Sequence, residues 1–405
     1  MPPHAPKRLI VLGSTGSIGR QTLDVVAHLA SLARQHGRPA PIEVVGLAAG
    51  RRAYELADQA REHRVGSVAL CQGEASLLPE GVRVHIGPDA AEQLVRETQA
   101  DIVMAAVVGA AGLPATLAAV EQGMDVALAN KETLVAAGAL VVPQARRTGS
   151  KLLPVDSEHS ALWQCLHAIN GPQEAPPMQP PASVRRLVLT ASGGPFRTWS
   201  ANEISRATPA QALDHPTWNM GPKVTVDCAS LTNKALEVVE AHWLFGFPSS
   251  QLGVLIHPQS IVHSFIETID GSVLAQLGIS DMRVPIQFAL THPDRATGHT
   301  PRLDLASLAR LDFELPDESR FPALSLARWV IDSGGTAGAI FNAANEAAVE
   351  AFLAGMIPFG RIGELTQDAC AAITSTALDT LGDALDADAR ARAHVRARLP
   401  QPTHH

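Results

Sequence analysis

Two short stretches of this chain carry charged groups at spacings that could do chemistry. Asp156-Ser157-Glu158-His159 follows an apolar run, Leu152 to Val155, and precedes Ala161, Leu162, Cys165, Leu166 and Ile169, which have helical spacing. Both carboxylates therefore fall between a strand end and a helix start, where open α/β sheets place ligands. Two close anions repel unless a cation sits between them, and hard oxygen donors suit Mg²⁺ or Mn²⁺. Acids in a first helical turn also serve as plain caps, so locally both readings stand. The second stretch is Asn233-Lys234-Ala235-Leu236-Glu237, with Cys228 and Ser230 just before it. Asn233 and Glu237 are four apart and share a helix face, with Lys234 beside it. An amide, an ammonium and a helix N-terminus would make a phosphate site, and Glu237 a third metal ligand. Taken alone, the segment fits a solvated face with a Lys–Glu pair better.

A third element is the run Gly13-Ser14-Thr15-Gly16-Ser17-Ile18-Gly19, between an apolar strand-like segment and a helical one. Small residues there let the backbone approach a pyrophosphate at a helix N-terminus. The spacing is G-x-x-G-x-x-G, and its place after a strand favours a dinucleotide over a simple tight turn. The next strand ends in Gly46-Leu47-Ala48-Ala49-Gly50-Arg51-Arg52, with no acid for ribose hydroxyls. Two guanidinium groups suit a 2′-phosphate, which favours NADP over NAD. Ala191-Ser192-Gly193-Gly194-Pro195-Phe196 could offer N–H groups and a hydroxyl to phosphate, or be an ordinary glycine turn. His215-Pro216-Thr217-Trp218-Asn219-Met220-Gly221-Pro222 reads as a mobile lid or as a rigid turn with Trp218 in the core. His257 and His263 read as buried, satisfied histidines.

Positioning these residues calls for a particular scaffold. Strand-like runs at Leu9–Leu12, Ile42–Ala48, Ser67–Leu70, Ile102–Ala105, Val126–Ala129 and Leu152–Val155 alternate with helical stretches, which implies a doubly wound parallel sheet. A proline-rich insert at 171–181 reads as a solvated surface loop. A mixed α+β region follows, with strands near Val184–Thr190 and Ser272–Leu277 and a helix near Leu231–Leu244. The polar stretch His292–Arg310 reads as a linker, and alanine-rich helical spacing from Pro322 onward as a helical bundle ending in a frayed tail from Arg396. The expected division is 1–155, 156–291, a linker 292–315, and 316–405.

The 405 residues are 46% hydrophobic and 18% charged, enough for a sizeable core and against disorder. A net charge of −8 argues against nucleic acid held on a basic surface. No long uncharged apolar run suggests a membrane span, and the first residues lack an apolar signal core. Four scattered cysteines without C-x-x-C spacing fit a reducing cytosol, so a cytoplasmic protein is expected.

Taken together, the motifs resemble one family, the 1-deoxy-D-xylulose 5-phosphate reductoisomerases of the non-mevalonate isoprenoid route. The resemblance rests on GSTGSIG at Gly13 to Gly19, ANKE at Ala129 to Glu132, PVDSEHSA at Pro154 to Ala161, ASGGPF, HPTWNMGPK, NKALE, HPQSIVHS, DGSVLAQLG, SDMRVPI at Ser280 to Ile286 and NAANEAAV at Asn342 to Val349. It implies an NADPH-binding Rossmann-like domain, a catalytic domain that also forms a homodimer, a linker and a C-terminal helical bundle. It implies a divalent metal (Mg²⁺, Mn²⁺ or Co²⁺) on Asp156, Glu158 and Glu237. A small phosphorylated sugar would meet Lys131, Ser157, Glu158, Ser192, His215, Trp218, Met220, Cys228, Asn233, Lys234 and Glu237, with Lys131, Glu158, His215 and Lys234 catalytic. NADPH would meet Thr15, Gly16, Ser17, Ile18, Gly50, Arg51, Arg52, Asn130, Glu132 and Gly221. The implied reaction breaks and rejoins the carbon skeleton of 1-deoxy-D-xylulose 5-phosphate, then reduces the branched aldehyde to 2-C-methyl-D-erythritol 4-phosphate. Cys228 stands where the family generally has a serine, Thr232 where it has methionine, Ala235 where it has glycine, and Arg52 where asparagine is common. The rival readings are a metal-assisted NADP dehydrogenase without rearrangement, and a non-catalytic NADPH sensor, which would have lost its metal ligands or Lys234.

Overall fold

A computed structural model describes residues 5–218 and 220–400. The first four residues, Asn219 of the lid motif and the last five residues of the expected frayed tail lie outside it.

The first half alternates strand and helix as its apolar runs require: β1 (Lys7–Leu12), α1 (Ser17–Gln35), β2 (Ile42–Ala49), α2 (Ala53–His63), β3 (Ser67–Leu70), β4 (Arg83–Ile86), α3 (Ala90–Glu97), β5 (Ile102–Ala105), α4 (Leu113–Glu121), β6 (Asp125–Leu128), α5 (Lys131–Thr148) and β7 (Leu152–Pro154). These strands form one parallel sheet in the order β4-β3-β2-β1-β5-β6-β7. Residues Leu9 to Leu12, Val68 to Leu70 and Val103 to Met104 are almost wholly buried, because helices cover both faces. The strand order reverses between β1 and β5. The crevice at such a switch point is where this architecture binds ligands.

The chain continues through α6 (Ser157–Asn170), β8 (Val184–Ala191), α7 (Ala201–Ser205), α8 (Pro209–Leu213), α9 (Pro222–Ala229), α10 (Thr232–Phe245), β9 (Leu252–Ile256), β10 (Val262–Thr268), β11 (Val273–Leu277) and α11 (Arg283–Thr291). A second sheet runs β11-β10-β8-β9, antiparallel except for the β8–β9 pair. Helix α11 turns back to pack on α1 and beside β6 and β7, so the last element before the polar stretch covers the first sheet. Residues 292–322 hold no α-helix, and Glu314 bridges to Ile256 at the end of β9. Four helices follow: α12 (Ala323–Ser333), α13 (Ala337–Leu353), α14 (Gly360–Ala372) and α15 (Leu381–Arg396). Helix α13 is buried along nearly all its length and crosses α5 so closely that a β-carbon at Gly338 would lie 1.8 Å from the Val135 carbonyl oxygen.

The insert at 171–181 corrects one expectation. It is not a solvated loop: Pro176 and Met178 are buried. The Trp163 indole donates to the Glu174 carbonyl at 2.9 Å, and Met178 N–H donates to the Leu244 carbonyl at 2.8 Å. Proline composition signalled an absence of regular structure, but backbone carbonyls without a ladder are free to cap neighbouring groups.

Candidate active site

One cavity of about 400 Å³ opens at the switch point and runs between the two sheets. Its dinucleotide end is built from backbone. Gly13 has φ +80°, the turn leads into α1 with Gly16 as N-cap, and no side chain satisfies the first N–H groups of that helix. Gly19 lies against the turn, where a β-carbon would meet the Gly13 carbonyl oxygen at 2.2 Å. Gly16, Ser17, Ile18, Asn130, Glu132 and Gly221 line the cavity. Thr15, Gly50, Arg51 and Arg52 do not. The Thr15 side chain is buried, and the other three are exposed beyond the end of β2. Arg52 nevertheless donates to the Thr15 carbonyl at 2.7 Å, which holds its guanidinium at the turn, whereas Arg51 donates to Gln72 Oε1 at 2.7 Å beyond the end of β3. Asn130 caps α5 by accepting from the Thr133 N–H at 3.0 Å, and its amide donates to the Gly109 carbonyl at 2.8 Å.

The other end is built from buried side chains. Asp156 and Glu158 arrive where β7 ends and α6 begins. Lys131 opens α5, and Asn233, Lys234 and Glu237 come from the first turns of α10. Leu231, just before α10, sits in the left-handed region at φ +57°, a strained conformation for this residue type that sets the entry of that helix. One oxygen from each of Asp156, Glu158 and Glu237 lies within 4.8 Å of the others. Lys131 Nζ is 2.5 Å from Asp156 Oδ2, 3.0 Å from Glu237 Oε1 and 2.9 Å from Asn233 Oδ1. Lys234 Nζ is 2.5 Å from Glu158 Oε1 and bonds Glu237 Oε2. Ser157 donates to Glu158 Oε2.

Charge follows from this crowding. Burial pushes Glu158 up to about 8, with the Glu237 charge adding to it. Burial opposes ionisation of Asp156 as well, but Lys131 beside it holds its carboxyl well below the usual range. Burial works against Lys131 and Lys234, yet the carboxylates around them keep both ammonium groups well above the usual lysine value. A carboxylate that keeps its proton near neutral pH marks a site with one negative charge too many for its lysines.

Three clustered oxygen donors facing a cavity fit a hard divalent cation. Asp156, His159 and Glu240 form a second grouping behind them. There His159 Nε2 faces the Glu237 carbonyl oxygen at 2.8 Å and Nδ1 lies 3.3 Å from Glu240 Oε2. His159 and Glu240 are buried and do not reach the cavity, so the first grouping is the one open to a ligand.

Ser192, His215, Trp218, Met220, Cys228 and His263 complete this end. His215 Nδ1 accepts from the N–H groups of Thr217 and Trp218 at 3.1 and 2.9 Å. A neutral ring therefore carries its proton on Nε2, which donates to Ser192 Oγ at 3.0 Å. Burial lowers the His215 pKa and takes His263 down to about 4, favouring neutral rings. The Cys228 thiol is pushed far up by burial and stays protonated. The spacing arguments did not single out His159, Lys223, Asp227, Glu240, Asn345 or Glu346. Each is buried or half-buried and bonded to residues far away in sequence, and the only local signal was the unusual run of polar groups within otherwise apolar helices.

Comparison with known proteins agrees with this architecture. Residues 9–138 match the 1-deoxy-D-xylulose 5-phosphate reductoisomerase family, and residues 152–245 and 277–394 match two C-terminal domain families of the same enzyme. The chain is 49% identical over 364 residues to the 1-deoxy-D-xylulose 5-phosphate reductoisomerase of Pelotomaculum thermopropionicum, covering 87% of this chain and 88% of that one. It is 47% identical over 402 residues to that of Bordetella pertussis, covering 96% and 97%. Among solved structures, the Zymomonas mobilis enzyme in complex with NADPH superposes with a TM-score of 0.85 at 40% identity, covering 97% of this chain and 99% of that one. A DOX-P reductoisomerase in complex with NADPH, fosmidomycin and magnesium gives 0.86 at 35% identity, covering 96% and 98%. A glycine turn at the switch point, three cavity-facing carboxylates between two lysines, and family matches along most of the chain lead to one assignment: this chain belongs to the 1-deoxy-D-xylulose 5-phosphate reductoisomerase family.

Proposed function

We propose that the chain performs its family's reaction, the NADPH- and divalent-metal-dependent conversion of 1-deoxy-D-xylulose 5-phosphate to 2-C-methyl-D-erythritol 4-phosphate, with the site residues dividing the work as follows. Asp156, Glu158 and Glu237 hold the metal, which when bound supplies Lewis acidity toward the sugar's oxygens. NADPH, when bound, would supply the hydride; Thr15, Gly16, Ser17, Ile18, Gly50, Arg51, Arg52, Asn130, Glu132 and Gly221 would hold it, the glycine turn suiting its pyrophosphate and the arginines its 2′-phosphate. Lys131 and Lys234 bridge the metal-site carboxylates, offset their mutual repulsion, and offer protons or charge to the sugar's oxygens. Ser157 orients Glu158. Ser192, His215, Cys228, Asn233 and Lys234 bind the phosphate end. Trp218 and Met220 close over the sugar, exclude water and keep the two carbon fragments in register until they rejoin.

The single observation that carries this division is the cluster of Asp156, Glu158 and Glu237 between two lysines at the inner end of a dinucleotide crevice. The arrangement also supports a boundary near 155, where β7 passes into α6, a connecting stretch 292–315 and a helical region from 316. A homodimer is supported by β11, an edge strand whose Val273 is 59% exposed, with Ile269 in the turn before it exposed as well. Cysteines that are all free fit a reducing cytoplasm. Among the described residues, no helix is long and apolar enough to cross a membrane.

The test is NADPH oxidation by purified protein with 1-deoxy-D-xylulose 5-phosphate and Mg²⁺ or Mn²⁺, followed by absorbance, with a chelator control and the product identified by NMR. Metal-dependent formation of the branched product is expected. Reduction of an added aldehyde without rearrangement would overturn the assignment.

A further inference from the structure

Beside the reactive cluster lies another buried array of charges, of which the reaction as described uses only Glu132, toward NADPH. Lys223 is the second residue of α9, three positions after Met220, and it lines the cavity. Its ammonium is 2.9 Å from Glu132 Oε1 at the start of α5. It is also 2.9 Å from Asp227 Oδ2, one turn along α9, as an ion pair off the hydrogen-bonding direction. Asp227 Oδ1 in turn accepts from Asn345 Nδ2 at 2.8 Å, across to α13. The next residue, Glu346, accepts from Asn342 Nδ2 at 3.1 Å and from Arg392 on α15. Its charge acts on Lys223, and it lies against Gly109, where a β-carbon would sit 3.1 Å from its Oε1. Gly109 ends the stretch after β5 in which Val107 and Val108 line the cavity.

Apolar residues of similar volume would join these helices without the cost of desolvating so many charges. What the charges add is direction: Glu132 and Asp227 fix the ammonium of Lys223 in the cavity wall, and Asn345 fixes Asp227 in turn. The loop 214–221 is then fastened at both ends, by His215 on Ser192 at one and by Lys223 at the other. We propose that Lys223, Asp227, Asn345 and Glu346 are positioning residues, through which the C-terminal helices set the root from which the Trp218–Met220 loop closes over the sugar phosphate. This rests on the reading of that loop as a lid.

The test compares Asn345→Leu, Glu346→Gln and Lys223→Met with the wild-type protein. Four quantities are measured for each: steady-state constants for both substrates, NADPH affinity by calorimetry, sugar-phosphate affinity by calorimetry with Mg²⁺ but no NADPH, and thermal melting. Asn345→Leu and Glu346→Gln should raise the sugar-phosphate KM and Kd about tenfold, the range seen for residues that couple to a site without touching its ligand. Their NADPH affinity should hold within about twofold, with melting lowered by only about 2–4 °C. Lys223→Met should do more, and if it fails to fold, the two helix variants decide alone. Unchanged sugar-phosphate constants in folded variants would overturn the proposal, as would equal weakening of NADPH and sugar phosphate. Wild-type protein that neither binds nor converts the sugar phosphate would overturn the function and this inference with it, whereas active wild type with indifferent variants overturns the inference alone.

Discussion

The two ends of the cavity are made of different material. The dinucleotide end is a backbone turn and a helix N-terminus, with arginines at its solvent edge. The inner end is three carboxylates and two ammonium groups taken out of water, each with a displaced or opposed charge. Backbone donors do not titrate, and they tolerate side-chain changes as long as space is kept. Buried side-chain charges do titrate, and removing one leaves its partner unpaired. The two ends should therefore fail in different ways.

The largest effect is expected at the charged end. Glu237→Gln keeps the shape but removes a charge facing both lysines and the other carboxylates. It should lower kcat by on the order of a hundredfold or more and weaken Mg²⁺ binding in calorimetry, while NADPH still binds. Retained Mg²⁺ affinity would break the contrast. At the backbone end, only filled space should matter. The β-carbon of Gly19→Ala would press on the Gly13 carbonyl oxygen and on Ser14 Cα at 2.5 Å, neither of which can give way cheaply. A cost of about 1–3 kcal/mol is expected from such overpacking, seen as a lower melting temperature and weaker NADPH binding, with sugar-phosphate affinity in Mg²⁺ preserved.

Much of this contrast was legible in the sequence, and the reason is range. The glycine turn lies within seven residues, and Asp156 with Glu158 within three, so periodicity and strand ends could place them. Lys131 was assigned to the site only by family resemblance, because its partners Asp156 and Glu237 lie on other elements. Lys223, Asp227 and Asn345 gave no local sign beyond being polar in apolar helices, since a buried ammonium looks like a surface lysine until its helix is docked. Strand β4 escaped notice because it is an edge strand with exposed Arg83 and Ile86. Strands β9 and β10 were obscured by the histidines at their ends, His257 and His263, which the spacing did mark correctly as buried.

A smaller effect sharpens the comparison through pH. Glu158 and Glu240 hold protons to about 8 and about 7 in the folded protein, against 4.5 for an ordinary glutamate. A carboxyl raised in this way adds stability that is complete below its unfolded value and is lost as pH climbs through the folded one. The lowered histidines keep an ordinary value near 6.5 in the unfolded chain, so only above about pH 7.5 are they largely neutral in both states and drop out. Between there and about pH 8.5, the metal-free protein should melt at progressively lower temperature, and Mg²⁺ should restore more as pH rises, because the cation replaces the proton. A metal-free melting temperature that climbs over this window would contradict the charge arrangement. The smallest change is Cys228→Ser, which exchanges a weak, protonated thiol for a better donor. It should leave kcat alone and lower the sugar-phosphate KM by about threefold at most; a large loss of activity would mean that the thiol packs rather than binds.

The pairs that make the inner end and the array beside it are drawn from remote parts of the chain: Lys131 meets Glu237 across 106 positions, Lys234 meets Glu158 across 76, and Asn345 meets Asp227 across 118. Closing loops of that size is slow and comes after local structure has formed. A nascent or refolding chain therefore acquires its helices and its glycine turn before it acquires a reactive centre. The protein becomes competent for its hazardous step only when the enclosure that retains the fragments is complete.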